Sequence, residues 1–229
     1  MNVFILTGAG VSAESGLGVF RGPGAAMWKR YDPMQLATPE AFARNPALVH
    51  DFYNMRRRNL IAASPNAAHV ALARLEAQLA RRCGALTLVT QNVDDLHERA
   101  GSRRVIHMHG ELLKARCASC GAVSDRRDDL AVDSRCGCAL RPHVVWFGET
   151  PLDLDEIFAA LEAADLFVAI GTSGAVYPAA GLVRAARGRG VRCCELNLEA
   201  SDNAAEFDDR RYGPASEIVP SWVEEILAK

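Results

Sequence analysis

Short runs of apolar residues recur along the chain, and each is followed by a polar or glycine-rich segment. They occupy residues 3–6, 86–90, 105–108, 166–170 and 191–196. Each run is too short for a typical helix and is rich in β-branched or other apolar side chains, which is typical of parallel strands covered on both faces. The pattern therefore predicts a buried parallel sheet.

Helical periodicity fills the intervals between these runs. Residues 66–82 place Ala71, Leu75 and Leu79 on one helix face, with Leu72 beside them. Similar patterns predict helices at 94–100, 154–164, 178–187 and 220–227. Alternating strands and helices favour an α/β fold built on a doubly wound, Rossmann-like parallel sheet.

Two stretches interrupt the alternation. Residues from about 24 to 84 are helical, and residues from about 115 to 140 hold four cysteines and little apolar material. We therefore predict a single domain, 1–229, made of a Rossmann-like part and two inserts. The Rossmann-like part takes about 1–23, 85–114 and 141–229, the helical insert about 24–84 and the cysteine-bearing insert about 115–140.

The clustered cysteines are Cys117, Cys120, Cys136 and Cys138. Two chelating pairs of thiolates suit tetrahedral zinc, and a metal can hold together a segment too small for a core of its own. A redox pair at the first two cysteines is the alternative, but it leaves the second pair unexplained. We predict a structural Zn²⁺, whose closed coordination shell excludes a catalytic role.

Composition narrows the possible partners. The 229-residue chain is 49% apolar and 24% charged, with a net charge of −2, so no basic field points to nucleic acid or a membrane surface. No apolar run approaches the roughly 18 to 20 residues that span a bilayer, and the N-terminus lacks the pattern of a signal peptide. We expect a cytoplasmic protein, and the sequence leaves its oligomeric state open.

A glycine turn follows the first predicted strand. Gly8, Gly10 and Ala13 match the dinucleotide fingerprint, in which bare backbone N–H groups and a helix N-terminus meet a phosphate. A dehydrogenase carries an acidic residue about 20 positions later to bind ribose. Here Asp32 precedes a proline and lies outside any strand pattern. The motif alone also fits a plain strand–helix turn, and hydride transfer fits poorly.

Polar loops follow three other predicted strands. Residues 90–95 supply amides and carboxylates, 105–111 supply two imidazoles, and 171–174 form a second loop of small residues. Because the carboxyl ends of parallel strands meet at one edge of a sheet, we expect these loops to converge on one crevice.

Together these segments resemble those of the sirtuins, the NAD-dependent protein lysine deacylases, and most of all the bacterial CobB type. The resemblance covers essentially the whole chain. It runs through residues 8–22, 91–94, 107–111, the four cysteines, 141–149, 171–173 and 197–199.

The resemblance implies that NAD is a consumed co-substrate. In sirtuins the acyl-lysine carbonyl oxygen attacks C1′ of the nicotinamide ribose and nicotinamide leaves. A histidine base then helps the ribose hydroxyl attack the resulting imidate, which gives O-acyl-ADP-ribose and free lysine. His109 corresponds to this base, and an imidazole is a suitable one near neutral pH. A lone histidine would more often be a hydrogen-bonded core residue, the role we assign to His107.

Asn92 and Asp94 correspond to the residues nearest the reacting carbon, and Phe20 with Arg21 to a loop that closes over NAD. The implied NAD-binding residues are Gly8, Ala9, Gly10, Glu14, Phe20, Arg21, Trp28, Gln91, Asn92, Asp94, Gly171, Thr172, Ser173, Asn197, Leu198, Glu199 and Ala215. The implied partner is an acylated lysine of a protein or peptide, whose backbone pairs with the run that holds Val145, Phe147 and Gly148.

Tyr53 and Arg56 indicate which acyl group is removed, because at i, i+3 they share a helix face. A guanidinium beside a phenol can bind the carboxylate at the end of an acyl chain. The sirtuins that act on succinyl-, malonyl- and glutaryl-lysine carry the motif Tyr-x-x-Arg, and Ala37 corresponds to a position that widens their pocket. The alternative is a solvated run of arginines. We predict a deacylase that prefers succinyl and malonyl groups and also removes acetyl.

Other functions fit less well. A nicotinamide dehydrogenase would need the missing ribose acid, and a zinc-ribbon nucleic-acid module would need a basic patch. Here Arg126 and Arg127 are offset by neighbouring aspartates. An ADP-ribosyltransferase is the nearest alternative, because it breaks the same glycosidic bond and differs only in the acceptor.

Overall fold

The computed structural model describes residues 1–18, 32–131 and 139–228. Its main element is a six-stranded sheet in the order β3-β2-β1-β7-β8-β9, in which every neighbouring pair is parallel. The strands are β1 (Asn2–Thr7), β2 (Ala85–Thr90), β3 (Val105–His107), β7 (Leu166–Ile170), β8 (Arg192–Asn197) and β9 (Asp209–Tyr212). The predicted doubly wound, Rossmann-like α/β fold is confirmed.

A second sheet is antiparallel and was not predicted. It contains β4 (Gly110–Cys117), β5 (Val123–Asp125) and β6 (Leu140–Val144), in the order β5-β4-β6. The pairing of β4 with β6 shifts register between Glu111 and Ala115, and the consecutive residues Leu112 and Leu113 are both buried there. This irregularity removes the strict alternation by which a half-buried strand is identified from sequence.

Helices cover both faces of the main sheet. The helices are α1 (Pro39–Arg44), α2 (Pro46–Ala62), α3 (Ala67–Arg81), α4 (Leu96–Arg99), α5 (Leu154–Glu162), α6 (Leu182–Gly188) and α7 (Ala215–Leu227). The apolar face predicted for α3 is buried in one core cluster together with α7. A second cluster lies under α5 and α6 on the opposite face. No helix in the described part of the chain is long and apolar enough to cross a membrane.

Several predicted helices differ from the structure. The helix predicted at 94–100 covers only Leu96–Arg99, and the one predicted at 178–187 divides into a 3-10 turn, Ala179–Gly181, and α6. The helix predicted at 220–227 begins at Ala215, so Pro220 lies inside it. Val219, Trp222 and Val223 are buried around this proline, and their packing outweighs the hydrogen bond that a proline cannot donate. The helix after the first glycine turn is a 3-10 helix, Ala9–Ser15, with no side-chain cap.

A third core cluster joins α1 and α2 to the small sheet. Its buried members include Phe52 and Tyr53 from α2, Leu112 from β4, and Trp146 from the segment after β6. This cluster places one face of α2 beside the β3–β4 connection, and with it beside the carboxyl edge of the main sheet.

The strand order reverses between β1 and β7, and the loops after these two strands lie side by side. The N–H of Gly8 donates to Ile170 O at 2.9 Å, and the N–H of Gly10 donates to Gly171 O at 2.9 Å. Gly171 has a φ of 62°, and a Cβ added there would lie 2.4 Å from Val11 N. The loops therefore touch backbone to backbone, with no room for a side chain.

We expect Gly171→Ala to destabilise the protein by about 2 to 4 kcal/mol, because it combines a left-handed conformation with a clash against rigid backbone. The Tm should fall by roughly 5 to 12 °C. Gly188→Ala is the control, since nothing lies within 4 Å of a Cβ at this helical position. Thermal unfolding followed by circular dichroism measures both. Equal Tm values for the two variants would contradict the close packing of the loops.

Candidate active site

The predicted polar loops converge at the carboxyl edge of the sheet. Gln91 N donates to Thr7 O at 2.9 Å, and Asn92 Nδ2 donates to Gly8 O at 3.1 Å. The loop after β2 is thereby fixed to the first glycine turn, which itself packs against the loop after β7. Such a crevice at the reversal point of a doubly wound sheet is where these folds bind ligands.

The glycine turn works differently from the prediction. The N–H groups of Gly8 and Gly10 are used within the protein, so the expectation that they are bare is wrong. These glycines are needed for close packing, because a Cβ at either position would lie 2.7 Å from backbone atoms of Gly171. What the turn presents to a ligand is therefore small side chains and backbone atoms.

His109 lies in the turn between β3 and β4, next to this crevice. Its Nδ1 lies 3.0 Å from Gln91 O. A carbonyl oxygen only accepts, so Nδ1 carries the proton and Nε2 keeps its lone pair. Burial lowers the pKa of His109, and the hydrogen bond to Gln91 opposes this only in part. The imidazole is therefore neutral at physiological pH and able to accept a proton at Nε2.

His107 supports the same loop from its other end. Its Nε2 lies 2.6 Å from Glu98 Oε1, and its Nδ1 lies 3.4 Å from Asn92 O. Burial lowers the pKa of His107, but the hydrogen bond and charge of Glu98 outweigh it and raise the pKa above the ordinary value. The two histidines thus meet consecutive carbonyls of the loop after β2, one as a neutral ring and one as an ion pair.

Asp94 is buried and held by a directed hydrogen-bond chain. The single hydrogen of the Ser12 hydroxyl is directed to Asp94, so His69 donates from Nε2 to Ser12 Oγ at 3.3 Å, and its Nδ1 lies 3.2 Å from Asn66 N and 3.1 Å from Asn66 Oδ1. The Ser12 hydroxyl then donates to Asp94 Oδ2 at 3.1 Å. Burial raises the pKa of Asp94, and the bonds from Leu96 N and Ser12 oppose this. The chain fixes the carboxylate's orientation at the crevice.

Ser12, Asn66, His69 and His97 were missed by the sequence analysis. The rings of His69 and His97 lie 4.8 Å apart, and His97 Nε2 lies 3.1 Å from Thr7 Oγ1. Burial lowers the pKa of His69 to about 4 and that of His97 well below its ordinary value. These residues come from separate elements of the chain. The one signal in the sequence that could have identified them as site residues is a polar side chain at a position where the pattern expects an apolar one.

The residues predicted for the adenosine half lie along the loops after β7 and β8. Asn197 Nδ2 donates to Thr172 O at 2.8 Å, and Asp202 N donates to Ser173 O at 3.0 Å. Leu198 and Glu199 are exposed beside them. These contacts join the loop after β7 to the loop after β8 at one side of the crevice.

Glu14 reaches away from the glycine turn. Its carboxylate accepts from Ser216 N at 2.9 Å and from Ser216 Oγ at 2.6 Å, in the first turn of α7. An acidic group at a helix N-terminus satisfies an otherwise unpaired N–H and suits the helix dipole. Glu14 therefore ties the glycine turn to α7, directly beside Ala215.

The predicted acyl-pocket residues lie together under the crevice. Tyr53 is buried, and the Arg56 guanidinium carbon lies 5.5 Å from the centre of its ring. Burial lowers the pKa of Arg56, and its electrostatic interactions with Tyr53 and Asp94 oppose this. Ala37 is also buried, and its carbonyl accepts from Phe147 N at 2.9 Å.

The predicted substrate-pairing run is partly engaged by the protein itself. Val145 N donates to His109 O at 2.9 Å, in addition to the contact between Phe147 and Ala37. Phe147 and Gly148 are exposed. The run is thereby fixed next to His109, with its exposed end toward solvent.

The zinc and lid predictions fall largely outside the described residues. The residues outside the described part of the chain include Cys136, Cys138, Phe20, Arg21 and Trp28. Cys117 is buried, Cys120 is exposed, and Cys120 N donates to Cys117 Sγ at 3.5 Å. Among the described residues no three His, Cys, Asp or Glu side chains are grouped to hold a metal ion.

The sheet order, the crevice between two glycine loops and the neutral histidine beside it define a dinucleotide-binding α/β protein. Comparison with known proteins narrows this class. Residues 8–178 match the model of the Sir2 family. The chain is 63% identical to a Caulobacter vibrioides protein named NAD-dependent protein deacylase, over 100% of this chain and 98% of that one.

Solved structures agree with this match. A Sir2 homologue in complex with NAD is 41% identical, with a TM-score of 0.88 over 98% of this chain and 89% of that one. A Sir2 complex with a p53 peptide and NAD⁺ is 29% identical, with a TM-score of 0.85 over 99% and 94%. The chain belongs to the Sir2 family.

The buried His69 predicts a stability that depends on pH. Unfolded His69 takes up a proton below about pH 6.5, whereas folded His69 does so only below about 4. The unfolded state therefore binds more protons between these values, and stability falls as pH falls through this window. We expect wild type to lose about 2 kcal/mol more between pH 7.5 and pH 5.0 than His69→Gln, whose side chain does not titrate.

Urea unfolding of both proteins at the two pH values measures this difference. The comparison cancels the other histidines and any loss of stability in the variant that is independent of pH. An equal pH dependence in the two proteins would contradict a neutral His69 in the folded state.

Proposed function

We propose that this chain is a protein-lysine deacylase that prefers succinyl and malonyl groups, also removes acetyl, and releases nicotinamide and O-acyl-ADP-ribose. As a member of the Sir2 family, the chain is an NAD-dependent protein deacylase. The observation that carries the acyl preference is the placing of Arg56 beside Tyr53, with the guanidinium carbon 5.5 Å from the centre of the Tyr53 ring.

The base in this proposal is His109. Its Nδ1–H is bound to Gln91 O, so the ring keeps one orientation while Nε2 accepts a proton from the ribose hydroxyl. The lowered pKa keeps the ring neutral at working pH, which a base requires. Val145 N holds the backbone of His109 itself, so the base and the substrate-pairing run move as one unit.

The described residues fit NAD. When bound, NAD supplies the glycosidic bond that is cleaved and the hydroxyl that accepts the acyl group. We place the reacting ribose beside Asn92 and Asp94, nicotinamide beside Gln91, and the diphosphate over the glycine turn. Asp94 is a buried carboxylate with a fixed orientation, suited to stabilise positive charge that develops on the sugar. The loops with Thr172 and Asn197 would hold adenosine.

The acyl end lies next to this centre. A succinyl or malonyl chain ends in a carboxylate, which a guanidinium binds strongly where water is excluded. In this proposal Arg56 supplies that charge and Tyr53 a hydroxyl, and the small side chain of Ala37 corresponds to the position that widens the pocket. Acetyl lacks the carboxylate, so it enters without the added attraction.

We also propose that Cys117, Cys120, Cys136 and Cys138 hold a structural Zn²⁺. Supporting this is the hydrogen bond from Cys120 N to Cys117 Sγ, because backbone N–H groups bonded to thiolates stabilise metal-bound sulfur. The free thiols of Cys83, Cys193 and Cys194 fit a reducing compartment, and we propose a cytoplasmic enzyme.

His109→Tyr tests the base. We expect turnover of acetyl and succinyl peptides to fall by at least about 100-fold, because a phenol does not replace the imidazole as a base. Nicotinamide release in the presence of NAD and peptide measures turnover, and circular dichroism establishes that the fold is retained. Near-normal rates in a folded variant would remove His109 from this role.

Arg56→Met tests the acyl preference. With NAD and matched succinyl-lysine and acetyl-lysine peptides, we expect kcat/KM for succinyl to fall by about 10- to 100-fold and that for acetyl by less than about threefold. The products measured are free lysine peptide, nicotinamide and O-acyl-ADP-ribose. Arg58→Met on the same helix is the control, since Arg58 is exposed and paired with Asp129.

Equal losses on both peptides would rule out Arg56 as the carboxylate-binding group. ADP-ribose attached to protein, with both acyl peptides intact, would instead indicate the ADP-ribosyltransferase alternative.

A further inference from the structure

Trp146 lies between the substrate-pairing run and the acyl pocket. Its indole is buried, and Nε1–H donates to the Tyr53 hydroxyl oxygen at 2.9 Å. Tyr53 is buried as well, with 1% of its surface exposed. The sequence predicts this run only as an extended segment, so the inward direction of the Trp146 side chain is seen only in the folded structure.

An indole N–H donates and never accepts. The Tyr53 oxygen is therefore the acceptor in this bond, and the phenol's own hydrogen needs another partner. In the described part of the chain Tyr53 has Trp146 as its side-chain hydrogen-bond partner. Burial raises the pKa of Tyr53, so the hydroxyl keeps its hydrogen. A buried donor without an acceptor is costly unless a ligand supplies one.

The indole is clamped in place. The guanidinium carbon of Arg141 lies 3.5 Å from the centre of the Trp146 ring, and this guanidinium is bound to both oxygens of Glu149 at 2.6 and 2.8 Å. Glu149 also accepts from Trp146 N at 2.8 Å. Ring face and backbone are both fixed, so the direction of Nε1–H is fixed too. The hydrogen of the Tyr53 hydroxyl therefore cannot point toward Trp146.

We propose that Trp146 determines acyl selectivity by holding the Tyr53 hydroxyl as a donor that acts with Arg56 on the carboxylate of an acidic acyl group. Trp146 is a positioning residue: it touches Tyr53 and not the acyl group. This inference rests on the proposed preference for succinyl and malonyl groups. It adds a residue outside the Tyr-x-x-Arg pair to the determinants of that preference.

Trp146→Phe tests the proposal, because it removes the N–H and keeps a ring for Arg141 to stack on. We expect the ratio of kcat/KM for succinyl to that for acetyl to fall about tenfold, the effect of one hydrogen bond to a charged group. The loss should fall mainly on KM for succinyl peptide. Trp222→Phe is the control for a Trp→Phe change. Trp222 lies on α7 in a separate core cluster, so this variant should leave the ratio unchanged.

A double-mutant cycle with Tyr53→Phe separates positioning from a general structural effect. If Trp146 acts through the hydroxyl, adding Trp146→Phe to Tyr53→Phe should change the ratio no further. A ratio unchanged in Trp146→Phe, or an equal tenfold effect of Trp146→Phe with and without the Tyr53 hydroxyl, would overturn the inference. A wild type that does not prefer succinyl, or whose preference survives Arg56→Met, would instead overturn the proposed acyl preference.

Discussion

The structure depends on the contact between two glycine loops at the reversal point of the sheet. β1 and β7 are neighbours, so their loops leave the sheet side by side, and the backbone of Gly10 lies against that of Gly171. A Cβ at Gly8, Gly10 or Gly171 would meet backbone atoms at 2.7 Å or less. The loops hold each other by hydrogen bonds, and the crevice exists because nothing larger than glycine separates them.

Polar side chains around this contact are held in fixed orientations by hydrogen bonds to one another and to the backbone. Asn66, His69, Ser12 and Asp94 form a chain in which every proton has one direction. His109 and His107 take consecutive carbonyls of the loop after β2, one neutral and one paired with Glu98. Burial lowers the pKa of His109 and raises that of Asp94, so the site combines a neutral imidazole with a carboxyl group in a poorly solvated crevice.

The small sheet and α2 pack beside this crevice, where we propose that the acylated lysine binds. In the segment after β6, Val145 N donates to His109 O, and Phe147 N donates to Ala37 O in the segment just before α1. Trp146 turns inward from this segment and reaches Tyr53 on α2. The segment that holds Val145, the turn that holds His109 and the helix that holds Tyr53 are therefore joined by direct contacts, so the proposed base and the proposed acyl pocket belong to one packed unit.

The sequence by itself determined the parallel sheet, because strands buried on both faces need mostly apolar side chains, and the runs at β1, β2 and β7 have them. It also identified His109, Asn92, Asp94 and the glycine loops as candidates, since they follow such strands. It missed β9 and the antiparallel sheet formed by β4, β5 and β6. In β4 the register shift breaks the alternation, and β9 is an edge strand of charged residues, Asp209–Tyr212.

Only the tertiary structure decided what the candidates do, since their hydrogen-bond partners are distant in the chain. Glu14 binds Ser216, the glycine N–H groups face Ile170 and Gly171, and Trp146 binds Tyr53.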